Sequence, residues 1–286
     1  MNDLGNGRYL QLFKDTGTFA LRSTNMEMKD ILCATDLTPA SHTAVKCALA
    51  LADRAGSRVK MFHVIGHEED RDAAEMAMND QLTTAGAPGS ADMLVVKGEP
   101  LDMIADSSGN GHWLLVLATH GLRGLRQKLF GADILKLVRR VHIPSLVVQE
   151  ESPAPLRSGP FVMPVAAHEG VDRMIDMVIA LAQMHAAEVH VYQLIRPGEA
   201  ASDELLRNKL KMTEKLTEAG VRHKVIDEPR RGPSIGFAGP TIEYAQRAGA
   251  ALIAMMSHAS KEYTYMADAE KERLLTNEAH IPILCC

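Results

Sequence analysis

Short apolar runs alternate with amphipathic stretches along most of the chain. Between residues 30 and 149 the pattern predicts strand 30–34, helix 39–54, strand 58–65, helix 70–85, strand 91–97, helix 100–107, strand 113–118, helix 126–140 and strand 144–149. The run Trp113-Leu114-Leu115-Val116-Leu117 is apolar at every position rather than at alternate ones. That is the signature of a parallel sheet with helices on both faces. Thr38-Pro39 and Glu99-Pro100 mark helix starts, because proline suits the first helical position. The pattern is that of a doubly wound α/β unit.

The pattern then recurs. Ala48-Leu49-Ala50-Leu51-Ala52 followed by Lys60 to Ile65 matches Ile179-Ala180-Leu181-Ala182 followed by His190 to Ile195, an offset of 130 residues. Leu117 to Gly121 matches Met255 to Ala259, and His142-Ile143-Pro144 matches His280-Ile281-Pro282, both at an offset of 138, so eight residues are inserted in the second copy. Two tandem doubly wound parallel-sheet domains are therefore expected. The boundary falls in the proline-rich and polar stretch Glu150 to Pro160. This gives an N-terminal extension at 1–28, a first domain at 29–150, a linker at 151–160 and a second, degenerate domain at 161–286. In the extension, Tyr9 to Phe13 and Thr18 to Leu21 could pair as a hairpin or remain an arm.

Composition narrows the partners. A chain of 286 residues that is 46% hydrophobic can fill two cores. A formal charge of −5 without long basic runs argues against nucleic-acid or membrane-surface partners. The four cysteines, Cys33, Cys47, Cys285 and Cys286, lack zinc-site spacing, and adjacent cysteines rarely bridge each other. With no membrane-length apolar run and no apolar signal core, a cytoplasmic protein with reduced thiols is expected. Among the 12 histidines, neither His63 with His67 nor His185 with His190 has the helical i, i+4 arrangement beside a carboxylate that marks a zinc helix, so no metal site is expected. No phosphate-binding lysine loop, nucleophile elbow or paired nucleophile and base is present, so no dedicated catalysis is expected either.

In doubly wound sheets, ligands bind beyond the carboxyl ends of the strands where strand order reverses. Three tips converge there in the first unit: Ala34-Thr35-Asp36, Val64-Ile65, and Ala118-Thr119-His120-Gly121. The last of these leads through Arg123 to Gly131 and Ala132 at a helix start, where open N–H groups can hold an anion. Asp36 either faces a ligand or closes the turn before Pro39, and His120 either anchors its turn or touches a ligand. The second copy carries Ala166 for Asp36, Ala259 for Gly121, and Ala269-Glu270 for Gly131-Ala132. A second site of the same kind is not expected there. Packing, pairing or another ligand is.

These residues resemble the universal stress protein family. The likeness is carried by Ile31 to Asp36 with Ser41, Phe62-His63-Val64, Gly98-Glu99-Pro100, Thr119 to Leu125 through Gly131, and Ile143 to Val148. The resemblance implies two adenine nucleotide alpha hydrolase-like domains, with ATP or another adenine nucleotide in the first and no metal beyond nucleotide-bound Mg. It implies that Asp36 lies near the ribose, that Val64 meets the adenine with main-chain groups, and that His120 and Gly121 border the phosphates, with Ala34, Thr35, Ala118, Arg123, Gly131 and Ala132 also part of the nucleotide site. The family's ATP signature has glycine at position 118 and a hydroxyl at position 132, where this chain has alanine. Losing that hydroxyl removes a hydrogen bond worth roughly 0.5–1.5 kcal/mol, and Asp133 in the first helical turn repels phosphate. The resemblance further implies a cytoplasmic stress-response regulator whose strand ends, Ser145 to Gln149 and Ile283 to Cys286, pair across a two-fold axis. An internal pseudo-dimer or a homodimer would satisfy that pairing. The alternatives are a nucleotide-independent module that binds a protein partner, and a weak ATPase.

Overall fold

A computed structural model describes residues 30–119, 131–195, 198, 200–229, 236–258 and 267–286. The first half runs β1 (Asp30–Ala34), α1 (Pro39–Ala55), β2 (Arg58–Ile65), α2 (Arg71–Thr84), β3 (Ala91–Lys97), α3 (Pro100–Ser108), β4 (His112–Ala118), α4 (Gly131–Arg140) and β5 (Ser145–Val148). The second runs β6 (Phe161–Pro164), α5 (Asp172–His185), β7 (Val189–Ile195), α6 (Asp203–Glu218), β8 (His223–Pro229), α7 (Ala238–Arg247), β9 (Leu252–Met255), α8 (Ala267–Leu275) and β10 (Ile283–Cys285). The extension at 1–28 and the 126–130 start of the fourth helix lie outside the described residues.

Local chemistry sets the helix ends. Thr38 has extended backbone and accepts the Ser41 N–H on its hydroxyl, with Pro39 as the first residue of α1. Such a cap is worth about 1 kcal/mol. Gly56 closes α1 in the left-handed region at φ 64° and donates back to Ala52 and Asp53, a conformation open to glycine at little cost.

Among the described residues all ten strands form one sheet, ordered β3-β2-β1-β4-β5-β10-β9-β6-β7-β8. Each half is parallel within itself. The halves meet where β5 and β10 pair antiparallel, with Ile283 opposite Val147, Leu284 opposite Leu146 and Cys285 opposite Ser145. The strand ends that the resemblance pairs across a two-fold axis thus pair within one chain.

Two hydrophobic cores exist, as composition predicts, but they are divided differently from the halves. One gathers Ile31 and Cys33 of β1 with α1, α2, α5 and α6, including Leu51, Met78, Leu181 and Met212. The other gathers Leu32 and Ala34 with α3, α4, α7 and α8, including Ile104, Leu135, Ile242 and Leu274. Alternate residues of one strand feed opposite faces. Each core therefore runs the length of the continuous sheet, through both halves.

The segment 151–160 is neither helix nor strand, yet it is held in place. Ser152 is buried, accepts the Gln149 N–H and donates to the His280 carbonyl at 2.8 Å. Buried Asn277 locks the adjoining turn: its Nδ2 donates to Leu274 and Ile281 carbonyls, its Oδ1 accepts the Ile281 N–H at 2.9 Å, and its carbonyl accepts from Gln149 Nε2. Replacing it by alanine strands a buried N–H and two buried carbonyls. Urea unfolding of Asn277→Ala is expected to show a loss of about 3 kcal/mol, at the cost of a few unmet buried groups.

Candidate functional site

Strand order in the first half reverses between β1, with β2 on one side, and β4 on the other. Because these strands are parallel, Ala34, Val64 and Ala118 all stand at the same edge of the sheet. That edge is the switch point at which such sheets take ligands.

Hydrogen-bond directions around β2 are specific. The Phe62 carbonyl accepts the Thr35 N–H on the β1 side, while the Ile65 carbonyl accepts the Gly98 N–H on the β3 side. Main-chain groups alternate sides along a strand. The N–H and C=O of Val64 therefore point toward β1, past its last ladder pair at Ala34 and Phe62. A flat donor and acceptor pair is presented at the sheet edge.

The turn after β1 is rigidly built. The buried Thr35 hydroxyl donates to Gln81 Oε1 at 2.8 Å, lies 3.0 Å from Ser41 Oγ, and accepts the Leu37 N–H at 3.1 Å. Gln81 Nε2 donates to Ser41 Oγ at 3.3 Å. His63 Nδ1–H donates to the Thr35 carbonyl at 2.8 Å. Leu37 is held at φ 66°, a left-handed conformation that costs a side chain of its kind about 1–2 kcal/mol. Exposed Asp36 accepts the Thr38 N–H at 3.1 Å and the Thr38 hydroxyl at 2.5 Å, both on Oδ1. Asp36 thus closes the turn before Pro39 while its carboxylate stands at the surface of the switch point. Thr35 is a structural member of this turn, its hydroxyl directed into the protein. Gln81, which ties α2 to the turn, was not singled out from sequence, and its position within a helix carries no signal for that bond.

On the other side of β1, Ala118 pairs with Val148 and the Thr119 N–H donates to the Val148 carbonyl at 2.8 Å. His120, Gly121 and Arg123 lie outside the described residues. Gly131 and Ala132 open α4, and Asp133 in its first turn pairs with Lys136 at 3.2 Å. The helix start thus holds an acid of its own. Gly131 also has a packing reason to be glycine, because a Cβ there would lie 3.2 Å from Thr276 Cγ2 of the second half.

The corresponding edge of the second half is chemically different. Glu270, in the place of Ala132, accepts the Ala238 N–H at the start of α7 at 2.7 Å. The carboxylate lies where a Cβ on Gly236 would be. An internal anion therefore already occupies that helix N-terminus. Lys271, in the place of Asp133, is buried and donates to the Met256 and His258 carbonyls. Burial, together with Arg139, pushes its amine down to about 8. His168 is pushed down to about 4 by burial, then by Lys271 and His258.

Four thiols are free: Cys33, Cys47 and Cys285 are buried, and burial pushes the Cys47 and Cys286 thiols up to about 12. Among the described residues no three histidines, cysteines or acids stand together as a metal site, and no helix is long and apolar enough to cross a membrane.

Residues 27–149 match the universal stress protein family model. The first half is thus similar to that family. A universal stress protein from Archaeoglobus fulgidus shares the fold over both halves, with 15% identity, a TM-score of 0.63, and coverage of 92% of this chain and 98% of its own. A functionally unknown protein from Pseudomonas aeruginosa does so with 16% identity, a TM-score of 0.58, and coverage of 91% and 92%. The comparison with curated proteins finds no match. The α/β fold in tandem is thus that of universal stress proteins, and its second half repeats the architecture of the matched domain.

Two outcomes test this geometry. Gly131→Val should destabilise the protein by about 1–3 kcal/mol through overpacking on Thr276, with part of the loss returned by Thr276→Ala, as read by thermal unfolding. Lys271 binds a proton more weakly folded than unfolded, so its burial costs stability in full below pH 8, and the cost fades between pH 8 and 10.5. Relative to Lys271→Met, the wild-type protein should gain up to about 3 kcal/mol across that window in urea titrations.

Proposed function

We propose that the first half binds an adenine nucleotide and that the chain is a cytoplasmic stress-response regulator rather than an enzyme. The observation that carries this reading is Val64. Its main-chain N–H and C=O face past the end of β1 at the switch point, and a flat donor and acceptor pair suits the edge of an adenine ring. Asp36, exposed at the neighbouring tip with Ala34, stands where a ribose hydroxyl would find an acceptor. His120, Gly121 and Arg123, by their place in the sequence between β4 and α4, would border the phosphates.

The phosphate side is the weaker part of the fit. Ala118 and Ala132 bring no donor side chain, and the Asp133 carboxylate near the α4 start competes with an incoming phosphate. Residue chemistry thus favours nucleotides with few phosphates over ATP, with any Mg arriving on the nucleotide. Homodimerisation, in this reading, would use a surface other than the β5 and β10 edges.

Calorimetric titration of the full chain with AMP, ADP and ATP tests the proposal. Binding is expected for AMP at least. Gly121→Val should abolish it, and Ala132→Ser should tighten ATP roughly tenfold, the worth of one hydrogen bond to a charged group. No heat at millimolar ligand, or a Gly121→Val protein that binds unchanged, overturns the nucleotide reading in favour of a protein-interaction module.

A further inference from the structure

The second half carries a partly open cavity of about 180 Å³ at the carboxyl ends of β6, β7 and β9. Its walls are chiefly apolar, with Leu194, Leu205, Phe237, Met255, Met256 and Leu274 among them. A cavity of roughly 150 Å³ with such walls holds benzene, whereas sites for larger organic ligands start at roughly 300 Å³. An adenine nucleotide has several times as many non-hydrogen atoms as benzene. The walled part of the cavity holds one ring with a short substituent.

Several polar groups on the walls are engaged within the protein, while His168, held neutral by burial, also lines the cavity. Gln193 Oε1 accepts from Lys209 at 2.8 Å, the Thr241 hydroxyl donates to the Phe237 carbonyl at 2.7 Å, and Lys271 holds two carbonyls. Tyr192 also lines the cavity. It is 1% exposed, its ring stacks on Tyr244 at 4.7 Å, and its hydroxyl has no partner among the described residues. The stacked Tyr244 does have one, at His190 Nδ1 and 2.7 Å. A buried hydroxyl without a partner is costly and calls for one. Burial pushes the Tyr192 phenol up, so it keeps its proton and offers it as a donor.

The features that would hold a nucleotide are altered among the described residues of this edge. Glu270 already takes the Ala238 amide at the start of α7, and Ala166 replaces the acid of the first half. We propose that this cavity is a second ligand site, for a small, mainly apolar molecule of single-ring size with one oxygen that accepts a hydrogen bond from the Tyr192 hydroxyl. The two halves would then sense different chemistries from equivalent edges of one sheet.

The test uses the full chain with methyl-labelled methionine, followed by NMR. Acetophenone should shift the Met255 and Met256 signals saturably, and ethylbenzene, the same size without the acceptor, should bind about tenfold more weakly. Tyr192→Phe should fold at least as stably as wild type and bind both probes alike. Ala201→Phe, at an exposed position on the cavity wall, should block both. Benzoate binding that depends on Tyr192 also supports the site and assigns the acceptor to a carboxylate. The proposal is overturned by an absence of shifts at millimolar acetophenone, by a Tyr192→Phe protein that still prefers acetophenone, or by AMP producing the same methionine shifts. Loss of AMP binding in Gly121→Val concerns the first half alone and leaves this site untouched.

Discussion

Everything in this molecule hangs on three residue pairs at the centre of the sheet. β5 and β10 are each the end of a five-stranded parallel half-sheet, and each would otherwise present a row of unpaired main-chain groups. Pairing them antiparallel sets the halves in opposite directions, so the two carboxyl-end edges, one per half, come to lie on opposite ends of the strands. Side-chain contacts reinforce the join: Arg139 reaches the Ser257 carbonyl at 2.9 Å and pairs with Asp268, and Gly131 lets α4 approach the Thr276 side chain. These contacts sit between α4 and α8, next to both candidate sites.

Much of the fold was legible in the sequence because parallel strands buried on both faces leave continuous apolar runs. Trp113 to Leu117 is one, and the predicted strands 30–34, 58–65 and 91–97 coincide with β1, β2 and β3. What sequence periodicity could not give was the partition of the cores. Alternation tells which face a residue feeds, but not that the faces of two halves will be continuous. Ile31 and Leu181 share a core, although they stand far apart in sequence.

The candidate site was legible in its coarse position and less so in its parts. Topology put Ala34, Val64 and Ala118 at one edge, and alternation of main-chain groups explains why Val64 rather than Ile65 faces the opening. Thr35 and Gly131 are different. A hydroxyl at a strand tip and a glycine at a helix start read equally well as ligand contacts, yet Thr35 bonds inward to Gln81 and Gly131 meets Thr276. Both partners are distant in sequence, and no local pattern announces them. Glu270 was visible as a substitution, but its meaning depends on the α7 amide; Lys271 carries no signal in the sequence, and its role depends on the carbonyls after β9.

The β5 and β10 pair also changes what kind of equilibrium governs the assembly. When two such units belong to separate chains, their pairing obeys mass action and weakens with dilution. Here both strands are on one chain, joined through the anchored turn at Ser152. The partner's effective concentration is set by the covalent connection instead of by expression level. The paired state is therefore independent of how much protein the cell makes. Each half is also free to diverge, since a change in one is never imposed on its mate by symmetry.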